Sequence, residues 1–105
     1  MRRRTVLLAG LAVVCAPSAH AADAAITIDN FVFTPETLRV AVGTKVVWTN
    51  HDDIPHSVVG AEQPPTYKSP ALDTDEAFSH VFDKPGTFTY FCGLHPHMKG
   101  TVVVG

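Results

Sequence analysis

Cys92, His95 and Met98 stand at three-residue intervals in Phe91-Cys92-Gly93-Leu94-His95-Pro96-His97-Met98. One tight loop can therefore bring a thiolate, an imidazole and a thioether onto a single ion, with Pro96 stiffening the chain between the last two. Magnesium and calcium want oxygen ligands, so these donors suit them poorly. They suit copper, because two imidazoles, one thiolate and a weak axial thioether accommodate both of its oxidation states. The second imidazole has to come from elsewhere. His56 is the best candidate: it opens a strand after the Asn50 to Pro55 loop, with Pro55 fixing its approach and Ser57 behind it. The chemistry of such a site is single-electron transfer, in which no substrate bond is made or broken.

Each of these residues has a plainer reading on its own. Cysteine and methionine are common core residues, and Met98 taken alone is more often packing than ligand. Their joint spacing on a strand-loop-strand frame is what favours a metal. Zinc competes, but a structural zinc site uses more Cys or His and no thioether. A binuclear copper centre would need a second cysteine in the loop, where Gly93 and Leu94 stand instead. A nucleophilic Cys92 with a histidine base would also need an oxyanion site and a substrate cleft, so no enzymatic activity is expected. His51, His80 and His97 read as solvated or hydrogen-bonded side chains. Asp52, Asp53, Asp73, Asp75 and Glu76 read as a solvated surface, with docking the lesser alternative.

The elements that must position these residues alternate with period two between Gly, Pro, Asn and Asp punctuation, as half-buried strands do. Ile26 and Ile28 share a face, as do Leu38, Val40 and Val42, and then Val46 and Trp48. His56 to Val59, Phe78 to Phe82, Thr87 to Phe91 and Thr101 to Val104 complete seven short strands, and Asp83-Lys84-Pro85-Gly86 supplies a turn. Gly60 to Asp75, with Pro64, Pro65 and Pro70, is a connection with little pattern. The expected fold is all-β, a two-sheet Greek-key β-sandwich, because neither sheet alone covers its apolar face. Phe88, Tyr90 and Cys92 share parity, so aromatics facing the core bring the thiol out at the shielded inner rim.

Residues 1–21 read as a secretory signal and 22–105 as the exported domain. Arg2, Arg3 and Arg4 form a basic start, Val6 to Cys15 is apolar, and Ala19-His20-Ala21 fits a small-x-small cleavage site. The apolar run falls short of the roughly 20 residues of a spanning helix, so no membrane span is expected in the exported chain. Val14 is bulkier than the residue that usually precedes a lipidated cysteine, which leaves Cys15 as part of the signal core. General and twin-arginine export both remain open, and both lead to the periplasm. Cleavage would remove three of the eight basic residues and none of the ten acids. The resulting acidic domain argues against nucleic acid as a partner and mildly favours a positively charged one. Its single remaining cysteine, Cys92, cannot form an internal disulfide.

The Cys-x-x-His-x-x-Met loop, the Gly86-Thr87-Phe88-Thr89-Tyr90 strand before it, the Lys99-Gly100-Thr101-Val102-Val103-Val104 strand after it and the upstream Pro55-His56 resemble the cupredoxins, over nearly all of the exported chain. The loop containing His95-Pro96 and the Trp48 to Ser57 segment are most similar to the amicyanins, with plastocyanins and pseudoazurins more distant. The resemblance implies one copper ion in a type 1 (blue) site, with His56, Cys92 and His95 as strong equatorial ligands and Met98 as the weak axial one. It implies a monomeric electron carrier whose His95 ring edge emerges in an apolar patch of Leu94, Pro96, Ile54 and Pro55. An amine dehydrogenase as donor and a c-type cytochrome as acceptor would follow. Copper storage or delivery through the same ligands is the alternative. Two positions depart from the pattern: Ser57 stands where many members have an asparagine that braces the ligand loop, and His97 where amicyanins tend to be apolar.

Overall fold

The computed structural model describes residues 23–105, and the expected signal at 1–21 lies outside them. Among the described residues there are eight strands and no helix: β1 (Ala24–Asp29), β2 (Val32–Thr34), β3 (Thr37–Val40), β4 (Thr44–Asn50), β5 (Val59–Gly60), β6 (Ala77–Phe82), β7 (Gly86–Phe91) and β8 (Lys99–Val104). No helix there is long and apolar enough to cross a membrane. The strands form two four-stranded sheets, ordered β2-β1-β4-β6 and β3-β8-β7-β5. After the β1–β2 hairpin the chain changes sheet at every connection until the β7–β8 hairpin, so β1 pairs parallel with β4, and β3 with β8. That is the expected sandwich.

The core lies between the sheets. Ile26, Ile28, Val46 and Trp48 face inward from one, and Tyr90, Val102 and Val104 from the other, all buried. Trp48 is fully buried and meets the Tyr90 ring edge-on at 5.3 Å. Truncating it to alanine would cost about 3–5 kcal/mol. Parity along β7 holds as expected: Tyr90 and Cys92 are buried and Phe88 half-buried, whereas Thr87 and Thr89 are exposed. Tyr90 pairs with Gly100 across the β7–β8 ladder, and its hydroxyl lies where a Cβ on residue 100 would go. The absent side chain at Gly100 thus lets the aromatic ring lie flat two residues before the thiol.

Two expectations need correction, the count of seven strands and the single run from His56 to Val59. Val32–Thr34 forms a strand paired with β1, but it is too short for its alternation to be visible in sequence. The run from His56 to Val59 is not one strand. His56 makes an isolated bridge to Leu72, and regular pairing begins only at Val59. The connection at 60–75 is the reason: it folds back along 56–59, pairing Lys68 with Val59, and buries Tyr67, Ser69 and Leu72. Prolines mask this pairing in the sequence, since each removes a ladder donor.

Candidate metal centre

Cys92 follows directly on β7 and Met98 directly precedes β8, so the two strands of one hairpin set the ends of the loop. The loop closes on itself, with the Cys92 N–H donating to the Met98 carbonyl at 3.0 Å and the Met98 N–H to the His95 carbonyl at 2.9 Å. Met98 is thereby folded inward and buried. Its neighbours Leu94, Pro96 and His97 are exposed, and His95 is half-buried.

His56 arrives from the opposite side and is fully buried. Its backbone exchanges two hydrogen bonds with Leu72, at 3.1 and 2.6 Å. The approach loop is organised by Asn50, also fully buried, whose amide donates to the carbonyls of Ile54 at 2.9 Å and Leu72 at 2.8 Å while its oxygen accepts the Asp52 N–H at 2.9 Å. A buried amide satisfied on both sides holds a loop in one conformation, because breaking any bond strands a polar group.

These elements bring the donor atoms together. Nδ1 of His56 lies 3.7 Å and Nδ1 of His95 3.8 Å from the Cys92 sulfur, and all three atoms fall within 4.8 Å of one another. Bonds of about 2.0 Å to nitrogen and about 2.3 Å to sulfur at trigonal angles would separate nitrogen from sulfur by about 3.7 Å, against about 3.5 Å at tetrahedral angles. The two nitrogen–sulfur distances are therefore close to those of a trigonal arrangement, and the softness of the donors suits copper.

The surroundings of the donors specify more than the sequence revealed. Asp52, expected on a solvated surface, has a side chain only 12% exposed, and its Oδ2 accepts the His56 Nε2–H at 2.9 Å. This fixes the tautomer that leaves Nδ1 free to bind a metal. The same oxygen accepts the Phe31 N–H at 3.1 Å, and the His56 and Phe31 bonds hold the Asp52 carboxyl below the usual carboxylate range. The signal available in sequence was the Asp-x-x-x-His spacing beside a presumed ligand. Asp53, Asp73, Asp75 and Glu76 are exposed, as expected.

Ser57 does brace the loop. Its hydroxyl accepts the Gly93 N–H at 2.9 Å, and its own N–H points at the Cys92 sulfur at 3.4 Å. A hydroxyl thus stands in for the amide expected from the resemblance. It reaches because Gly93 has no Cβ, which would lie 2.8 Å from the Ser57 hydroxyl. Of the other histidines, His51 is exposed and pairs with Asp75 at 3.5 Å, and His80 stacks on Tyr67 at 4.4 Å. His97 is exposed beside His95, with ring centroids 6.4 Å apart. The structure brings none of these three into the donor cluster.

A model of the cupredoxin-like domain matches residues 4–104. This chain belongs to the cupredoxin-like family. The cupredoxin is 35% identical to amicyanin-alpha of Methylorubrum extorquens over 95% of its own length and 87% of the relative's. It is 34% identical to chloroplastic plastocyanin of Tetradesmus obliquus, covering 97% and 81% of the two chains. Its fold superposes on a purple cupredoxin from Nitrosopumilus maritimus with a TM-score of 0.74 and 34% identity, over 78% of this chain and 99% of that one. These homologues are copper proteins, and in this cupredoxin His56, Cys92, His95 and Met98 are positioned as a copper site.

Proposed function

We propose that this cupredoxin is a periplasmic electron carrier, amicyanin-like in its use of one type 1 copper ion, and not an enzyme. The observation that carries the proposal is the pair of imidazole Nδ1 atoms at 3.7 and 3.8 Å from a buried thiol. Copper, when bound, supplies the chemistry by cycling between Cu(II) and Cu(I). His56, Cys92 and His95 serve as the strong ligands and Met98 as the weak axial one. The Ser57 N–H directed at the sulfur and the Asp52 carboxylate behind His56 tune the donors. Buried Asn50 and the closed loop hold the donors in place, so that neither oxidation state demands rearrangement of the chain.

The electron port is the half-buried His95 ring, with Leu94 (49% exposed) and exposed Pro96 beside it in the loop and the Phe31 ring (43% exposed) against it. The family resemblance adds Ile54 and Pro55 to this apolar patch. A small apolar face of this kind suits the brief contacts of redox partners. The family resemblance points to an amine dehydrogenase as donor and a c-type cytochrome as acceptor, with the carrier acting as a monomer. The basic, apolar and small-residue segments of residues 1–21 support export.

Voltammetry of the copper-loaded protein tests the reading. A reversible one-electron wave with tight copper retention is expected of a carrier. Ready copper exchange without a reversible wave would instead favour storage or delivery through the same residues.

A further inference from the structure

The β1–β2 hairpin turns on two residues, Asn30 and Phe31, between the paired Asp29 and Val32. Both have left-handed backbones, with φ of 52° and 62°. A two-residue turn with both central φ values positive favours Asn followed by Gly, because a Cβ at the second position is strained. Asn30 conforms, but Phe31 puts a large aromatic residue where glycine would be cheapest.

Its ring explains the position. It meets His56 edge-on at 5.5 Å between centroids and His95 edge-on at 5.2 Å, with interplanar angles of 87° and 89°. Its backbone N–H is held by the Asp52 oxygen that orients His56. The ring therefore spans both imidazoles, and its flank borders a cleft of about 280 Å³ that Phe33, Glu36, His97 and Met98 also line. Strain kept at one residue beside a site is a pointer to its use there.

We propose that Phe31 is a positioning residue: an aromatic cap that sets the orientation of the His95 ring and keeps water in the adjoining cleft away from the metal. The proposal rests on the copper reading above. Phe31→Gly separates the two contributions of the residue, since glycine relieves the turn while removing the ring.

Metal-free Phe31→Gly should melt within about 4 °C of the wild type, loss of ring contacts being offset by the relaxed turn. Its His56 and His95 imidazole proton resonances should lose their ring-current shifts. Loaded with Cu(II), it should show altered copper hyperfine splitting, faster relaxation of solvent water protons and about tenfold tighter azide binding. Phe31→Tyr, which keeps the ring, should restore wild-type values. If wild type shows its blue band and Phe31→Gly matches it in hyperfine splitting, water relaxation and azide affinity, the cap is overturned and the copper site stands. A wild-type protein that takes up Cu(II) without a blue band would overturn both. A large fall in the melting temperature of metal-free Phe31→Gly, with unchanged copper spectra in Phe31→Leu, would reduce Phe31 to a structural residue and overturn the proposal.

Discussion

The Nε2–H of His56 donates to Asp52 Oδ2 at 2.9 Å, so the imidazole nearest the core is oriented by a carboxylate four residues earlier in the same loop. An imidazole held this way is pre-aimed, with its Nδ1 left free toward the Cys92 sulfur. Asp52→Asn keeps an acceptor but loses the charge. Its copper affinity should fall by about 10- to 100-fold, as competition with a chromophoric chelator would reveal. Unchanged affinity would mean that the backbone bonds to Leu72 orient the ring unaided.

Ser57 joins two segments 36 residues apart through the Gly93 N–H. Ser57→Ala leaves that part-buried donor without its acceptor and should cost about 1–3 kcal/mol in denaturant unfolding of the metal-free protein. Gly93→Ala should be at least as damaging, because the new methyl would meet the Ser57 hydroxyl and Val59. Normal stability in both variants would show that the loop's own closing bonds suffice.

The division of labour among the donors predicts opposite outcomes at the two sulfurs. Cys92→Ser should abolish the intense visible band of the copper-loaded protein. Met98→Gln should keep copper and the band but lower the potential, since a harder axial donor favours Cu(II). A Met98→Gln variant with the wild-type potential would argue that Met98 is packing only.

His95→Gly should leave a site open to exogenous imidazole from the surface side, because the His95 ring is half-buried whereas His56 is fully buried. The spectrum of the variant should shift on addition of imidazole. An unresponsive spectrum would remove His95 from the ligand set.

Away from the metal, His80 lies against Tyr67, and burial lowers its pKa below 6.5, with Asp83 and Glu62 partly opposing. The unfolded chain therefore binds the extra proton first. The His80 contribution is fully present above about pH 6.5 and is lost as pH falls toward its folded value. Stability of the metal-free protein should decline less steeply between about pH 7 and pH 5 in His80→Gln than in the wild type. Identical slopes in urea unfolding would refute the assignment.

Much of this protein was legible in one dimension. The strand alternation, the inward parity of Tyr90 and Cys92, and the donor spacing from Cys92 to Met98 are local properties, dictated by the pleat of a strand and the reach of a short loop. His56 was accessible too, through its place after a proline at a strand opening. Tertiary structure decided what depends on distant segments meeting. The 60–75 connection is tied to His56 by pairing with Leu72, and Asn50 is made a buried clasp by carbonyls from two segments. Ser57 became a brace only because the ligand loop brings Gly93 to it from 36 residues away, and Asp52 left the solvated surface only because its own loop folds its oxygen back onto His56. Phe31, at the tip of a hairpin with no pattern to mark it, came over both imidazoles because the two sheets set that turn beside the ligand loop. Hydrogen bonds and ring contacts of this kind need ångström-scale approach between segments tens of residues apart, which the periodicity of a chain does not encode.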